Sequence, residues 1–418
     1  MKLTQINYPE KLPVSKSQLS SVNKYKDRLL TILEKGDDSA SEFTLSPIQL
    51  DATSDTLMAL KKKFKGVRHL ILVGIGGSDL GTRAIYDAVY DDKKEAVSLH
   101  CLNIISPHTL KKLLVDISKV RNVKKIAVCV ISKSGKTTET LVNISVLLSS
   151  LKKQFSGDIY NQTVFISNPD TEFLKWGKRL KVATIAMPTA VGGRYSVSTV
   201  VGLVPLTIMG FEVDNFIKGL KLSTSKEELQ SAINQAHTLS FYLKKGYQHY
   251  NFFVFNPRLE KIGAWYRQLL AESLGKKLNK RKQLVKNSFL PTISTPEELH
   301  SVGQLYFSEV NKVYTDFVTC DDDVDFTLPK NILLKDFKVR RLSQVGEAIY
   351  KGVLAAYKSK DLPHRTTILE SNSLSHLGLF MGSRMLEVMF LAKIMNIDAF
   401  DQPNVEVYKK NTKQILGL

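Results

Sequence analysis

The chain has 418 residues, 43% of them hydrophobic and 24% charged. That balance excludes a mostly disordered chain and leaves room for roughly two to three domains. The formal net charge of +19 favours anions of every kind, from nucleic acid to membrane surfaces and phosphorylated metabolites, without choosing among them.

The opening stretch, MKLTQINYPEKLPV, lacks the apolar core of a secretory signal. The first forty or so residues are expected to form an arm packed on the body. Cys101, Cys129 and Cys320 are odd in number, far apart and without a CxxC pair. Buried, reduced thiols and a cytosolic location are therefore expected.

Apolar runs alternate with helical patterns along the chain. Strands are expected at residues 69–75, 125–131, 163–167, 182–186, 251–255, 316–319 and 366–369. Runs that are apolar throughout suit strands buried on both faces. Their alternation with helices predicts parallel sheets with crossover helices, an α/β fold. Two such units are expected, at residues 46–210 and 247–400, joined by a helix-prone linker at 211–246 and followed by a C-terminal segment at 401–418. The apolar stretch from Leu374 to Ile397 carries His376, Arg384, Glu387 and Lys393. Charges at mid-bilayer are costly, so it reads as a packed helix and no membrane partner is expected.

Residues 74–81, Gly-Ile-Gly-Gly-Ser-Asp-Leu-Gly, end one expected strand and open a helix. Glycines let a ligand approach the backbone, and a helix start offers N–H groups to an anion. Asp79 stands where the dinucleotide fingerprint requires glycine. A ligand loop and an ordinary tight turn are equally good readings of this segment alone.

Residues 132–140, Ser-Lys-Ser-Gly-Lys-Thr-Thr-Glu-Thr, hold five hydroxyls and two lysines at the next strand-to-helix junction. Helix capping explains one hydroxyl, not five. Val130 occupies the position where a nucleotide P-loop needs its first glycine. A cradle for a sugar phosphate is the better expectation.

Further residues could carry chemistry. Gln268 and Glu272 are one helical turn apart and so share a face. Their stretch is otherwise fairly apolar, and partial burial makes a carboxylate a better base near neutrality. From spacing alone, a surface glutamate paired with Lys276 is the better reading. Arg194 follows Gly192-Gly193 in apolar surroundings, where an arginine usually has an anionic partner. His300 could be structural or catalytic, and Lys409 could be an ordinary surface lysine. The lysine-rich run at 276–286 has no zinc spacing or RNP-like motif beside it, so nucleic acid is not an expected partner.

Together these segments resemble the phosphoglucose isomerase family, in its short bacterial form. The blocks are VGIGGSDLG at 73–81, ISKSGKTTET at 131–140, GGRYSVSTVVGLVPL at 192–206, QLLAESLGK at 268–276, TPEELHSVGQ at 295–304 and FDQPNVEVYKK at 400–410. The resemblance implies two sugar-isomerase (SIS) domains, a sugar-phosphate substrate, no metal or organic cofactor, and a homodimer with shared active sites. It places Glu272 as the base that moves a proton between C1 and C2, and Arg194 at the enediolate. It places His300 and Lys409 at ring opening and Gln268 at the substrate. Gly77, Ser78, Ser132, Lys133, Ser134 and Thr137 fall at substrate or phosphate contacts. Two positions depart from the family pattern. Lys136 replaces a small or hydroxyl-bearing residue, and Pro403 stands where longer eukaryotic relatives carry tryptophan.

Overall fold

Ten strands build two five-stranded sheets in a computed structural model that describes residues 2–9, 16–89, 96–155, 158–308, 310, 312–321 and 324–417. The first sheet contains β2 (His69–Val73), β3 (Ser98–Leu102), β4 (Ile126–Ile131), β5 (Thr163–Ser167) and β6 (Ala183–Ala186). Its order is β3-β2-β4-β5-β6 and every pairing is parallel. The central strands are the continuous apolar ones: β4 and β5 are buried at every position. Edge strand β3, Ser-Leu-His-Cys-Leu, is only half-buried and reads poorly as an apolar run.

The second sheet contains β1 (Leu3–Tyr8), β7 (His249–Val254), β8 (Leu290–Ser294), β9 (Val313–Cys320) and β10 (His364–Leu369), in the order β1-β10-β9-β7-β8. Four of its strands are parallel. The fifth, β1, comes from the expected arm and runs antiparallel along β10, from Leu3 opposite Leu369 to Tyr8 opposite His364. The second sheet is thus mixed, closed on one edge by the N-terminal strand. Antiparallel edge strands on otherwise parallel sheets are common.

The stretch expected as a linker folds into helices Val213–Ser223 and Lys226–Lys244. Both pack on helix Leu374–Ile394. Their apolar faces, including Phe216, Leu220, Ile233 and Leu239, are buried in a core cluster that also holds Leu72 of the first sheet and Val318 of the second.

The charges of helix Leu374–Ile394 are matched inside the protein. Arg384 and Glu387 join Arg365 and Asp316 in a fully buried network. Arg365 lies 2.6 Å from both Asp316 and Glu387; Arg384 lies 2.7 and 2.9 Å from the same two carboxylates. Tyr250 donates to Asp316, and Tyr266 to Glu387, each at 2.6 Å. Burial alone would raise the two carboxyl groups, but the two guanidinium groups outweigh it. They hold Asp316 at about 2 and Glu387 below its usual range. Among the described residues no helix is long and apolar enough to cross a membrane.

Candidate active site

In the first sheet the chain moves from β2 outward to β3, then returns past β2 to β4. The connections leaving β2 and β4 therefore diverge and open a crevice at their carboxyl ends, the usual ligand position in such sheets. The two loops singled out in the sequence are these connections.

The first loop is held open by backbone geometry. Gly76 has φ of +65°, a region that favours glycine. A Cβ added to Gly77 would lie 2.1 Å from the Gly193 carbonyl carbon, so this loop and the one carrying Arg194 touch through their backbones. Ser78 is half-buried in the same turn. Asp79 is buried and accepts from Asn103 at 2.9 Å and Arg83 at 3.1 Å, tying the loop to the end of β3.

The second loop carries the hydroxyls. Ser132 is buried and donates to Thr137 at 3.0 Å, while Ser134 is exposed and accepts from the Lys136 amide at 3.2 Å. Helix Thr138–Phe155 begins directly afterwards. Lys133 turns to the Arg194 loop and donates to the Val191 carbonyl at 2.9 Å. Burial lowers its pKa, and the nearby Arg194 charge lowers it further.

The carboxylate comes from the chain that follows the second sheet's β7. Helix Glu260–Leu274 leaves β7 through a short 3-10 turn and packs across helix Leu80–Val89 and both glycine loops. Gln268 and Glu272 share its site face as their spacing predicted. Gln268 Nε2 donates to Glu272 Oε1 at 2.8 Å, and Arg194 Nη1 to Glu272 Oε2 at 3.2 Å. The Glu272 side chain keeps 32% exposure, whereas that of Arg194 keeps 1%.

Arg194 uses its whole guanidinium. Nε donates to Ser273 at 2.9 Å, Nη1 also reaches Gln402 at 3.3 Å, and Nη2 holds the carbonyls of Ala399 and Asp401 at 2.5 and 3.0 Å. A planar, five-donor group suits this many acceptors and lysine does not.

Lys276 is not the partner of the Glu272 carboxylate that spacing suggested. Its ammonium holds the Glu272 main-chain carbonyl at 2.7 Å and Asp401 through Oδ1 at 3.0 Å. The carboxylate is left for Gln268 and Arg194. Ser273, Lys276, Asp401 and Gln402 escaped the sequence reading as site residues. All four lie inside quoted blocks, but only the fold shows that their polar groups converge around Arg194.

Two expected residues stay apart within one chain. His300 is exposed at the end of the 3-10 turn Pro296–His300, beyond edge strand β8. Lys409 pairs with Glu406 at 2.8 Å on helix Glu406–Ile415, which buries none of its residues. Among the described residues, no group of three or more His, Cys, Asp or Glu could hold a metal.

A family model described as phosphoglucose isomerase matches residues 31–417. The chain belongs to the phosphoglucose isomerase family. Curated relatives named glucose-6-phosphate isomerase agree. One from Methanocaldococcus jannaschii is 28% identical over 97% of both chains. One from Leptospira biflexa is 29% identical over 84% of this chain and 80% of its own. Two solved structures share the fold of this family member. A hypothetical protein from Thermus thermophilus superposes with a TM-score of 0.83 at 24% identity, covering 96% of this chain and 95% of that one. A glucose-6-phosphate isomerase from Chlamydia trachomatis gives 0.75 at 18%, covering 89% and 74%.

Proposed function

We propose that this protein interconverts glucose 6-phosphate and fructose 6-phosphate, moving a proton between C1 and C2 through a cis-enediolate. The observation that carries this reading is the Glu272 carboxylate, accessible on one side and held between Gln268 and Arg194 on the other.

Glu272 takes the C2 proton of the open-chain aldose. The C–H electrons form the C1=C2 bond, and the charge moves to O1. Glu272 then returns the proton to C1 while the O2 proton passes to O1, which leaves the ketose. A positioned base typically contributes about 10²–10⁴-fold. Arg194 is already fixed by four other acceptors, so it stabilises the enediolate with little reorganisation. Gln268 orients the base. The turn holding Ser132, Lys133, Ser134 and Thr137 grips the phosphate, with Gly77 and Ser78 against the sugar. Anchoring the far end of the substrate offsets the cost of orientation at the reacting carbons.

His300 and Lys409 open the sugar ring. Neither contacts Glu272 within one chain, which supports a homodimer whose sites are shared. A cytoplasmic place in glycolysis and gluconeogenesis follows from this substrate pair.

A coupled assay run in both directions tests the reading. Turnover of both hexose phosphates is expected, and mannose 6-phosphate turnover measures specificity. Tight sugar-phosphate binding without turnover would instead make the protein a sensor.

A further inference from the structure

Lys276 is a lysine with 5% side-chain exposure, one turn beyond Glu272 at the end of its helix. Burying an ammonium is costly unless its donors are met. Here they are met by three oxygens on two segments: the Glu272 carbonyl, the Asp401 carbonyl and Asp401 Oδ1. The Glu272 carbonyl is among the last four of its helix, which lack partners within it. A cation there also suits the helix dipole. The Asp401 carbonyl is shared, because Arg194 Nη2 donates to the same oxygen.

We propose that Lys276 is a positioning residue for the isomerisation. It latches the 399–402 turn onto the end of the base-bearing helix and so sets how Arg194 divides its donors between that turn and Glu272. The inference rests on the isomerase reading of the site. With the latch closed, Arg194 commits Nη2 to Ala399 and Asp401, and only Nη1 faces Glu272 and Gln402. With the latch open, the turn withdraws its acceptors and the carboxylate becomes the main acceptor for the guanidinium. A carboxylate held more tightly by the guanidinium is less well placed to reach the substrate carbon. The charged groups around Lys276 are Asp401 and Asp398 on the C-terminal turn and Arg194 on the glycine loop. Glu272 faces the Arg194 charge and the neutral Gln268 amide.

Lys276→Met keeps the apolar stem and removes the donors; Lys276→Arg keeps a charged donor. In Lys276→Met, amide exchange over residues 399–405 should quicken about tenfold. Its kcat should fall about 10–100-fold, the size of effect a small misplacement produces, with KM changed less than about threefold. Lys276→Arg should recover most of the rate. Asp401→Asn, which removes the negative charge facing Lys276 and keeps the oxygen acceptors, should lower kcat in the same direction by less. Unchanged kcat in folded Lys276→Met overturns the proposal, as does unchanged kcat in Asp401→Asn should the methionine variant not fold. The two readings fail separately. Absent wild-type turnover overturns the isomerase assignment, whereas unchanged exchange at 399–405 in Lys276→Met overturns the latch.

Discussion

Arg194 Nη1 lies 3.2 Å from Glu272 Oε2 although 78 residues separate them in sequence. The arginine follows β6 of the first sheet and the glutamate follows β7 of the second, so segments leaving the two sheets meet at this pair. In the proposed mechanism the same guanidinium faces the base before reaction and the enediolate during it. Arg194→Lys keeps a charge but cannot meet the acceptors on Ser273, Ala399, Asp401 and Gln402. Steady-state kinetics should show kcat reduced about 10²–10³-fold, equivalent to about 2.7–4 kcal/mol of lost barrier stabilisation.

Gly77 tests the closeness of the two loops. A methyl group there would sit 2.1 Å from the Gly193 carbonyl carbon, and two backbones cannot yield cheaply. Gly77→Ala should push the Arg194 loop away from the crevice. Activity should drop by at least about 100-fold, because a displacement near 1 Å at a reacting group costs on that order. Thermal melting checks that the fold survives.

Ser132 tests the phosphate cradle. Its hydroxyl donates to Thr137, and both belong to the turn assigned to the phosphate. Ser132→Ala removes one hydrogen-bonding group, worth about 0.5–1.5 kcal/mol net. KM for the sugar phosphate should rise roughly 2–10-fold with kcat nearly unchanged. A mainly lowered kcat would place this turn at the chemistry instead.

The buried network sets the acid limit of stability. Asp316 sits at about 2 in the folded protein against an ordinary 3.8, and Glu387 is likewise depressed. A depressed carboxylate stabilises the fold above its unfolded pKa and loses that contribution as pH falls through the folded one. Circular dichroism should therefore show stability declining from about pH 4 toward pH 2. Asp316→Asn removes the charge that faces two buried guanidinium groups. Breaking such a network should cost about 3–5 kcal/mol, read by denaturant unfolding at pH 7.

The interior strands were legible in the sequence because burial on both faces leaves an unbroken apolar run, as in β2, β4 and β5. The edges were not. Half-exposed β1 and β3 mix polar and apolar residues, and β8 carries Pro291. The partner of β1 is β10, at the far end of the chain, which no local pattern reveals. At the site, the shared face of Gln268 and Glu272 followed from helical spacing alone. The partner of Glu272 did not. Lys276 has the right spacing for an ion pair, but the C-terminal turn draws its ammonium away and leaves the carboxylate to a distant arginine.

Hydrogen exchange at carbon tests the central claim most directly. Hexose 6-phosphate incubated with the protein in deuterated water should acquire deuterium at the C1/C2 positions, followed by NMR. Glu272→Gln should retain sugar-phosphate binding but lose this exchange by about 10²-fold or more. Exchange continuing at the wild-type rate in that variant would contradict Glu272 as the group that carries the proton.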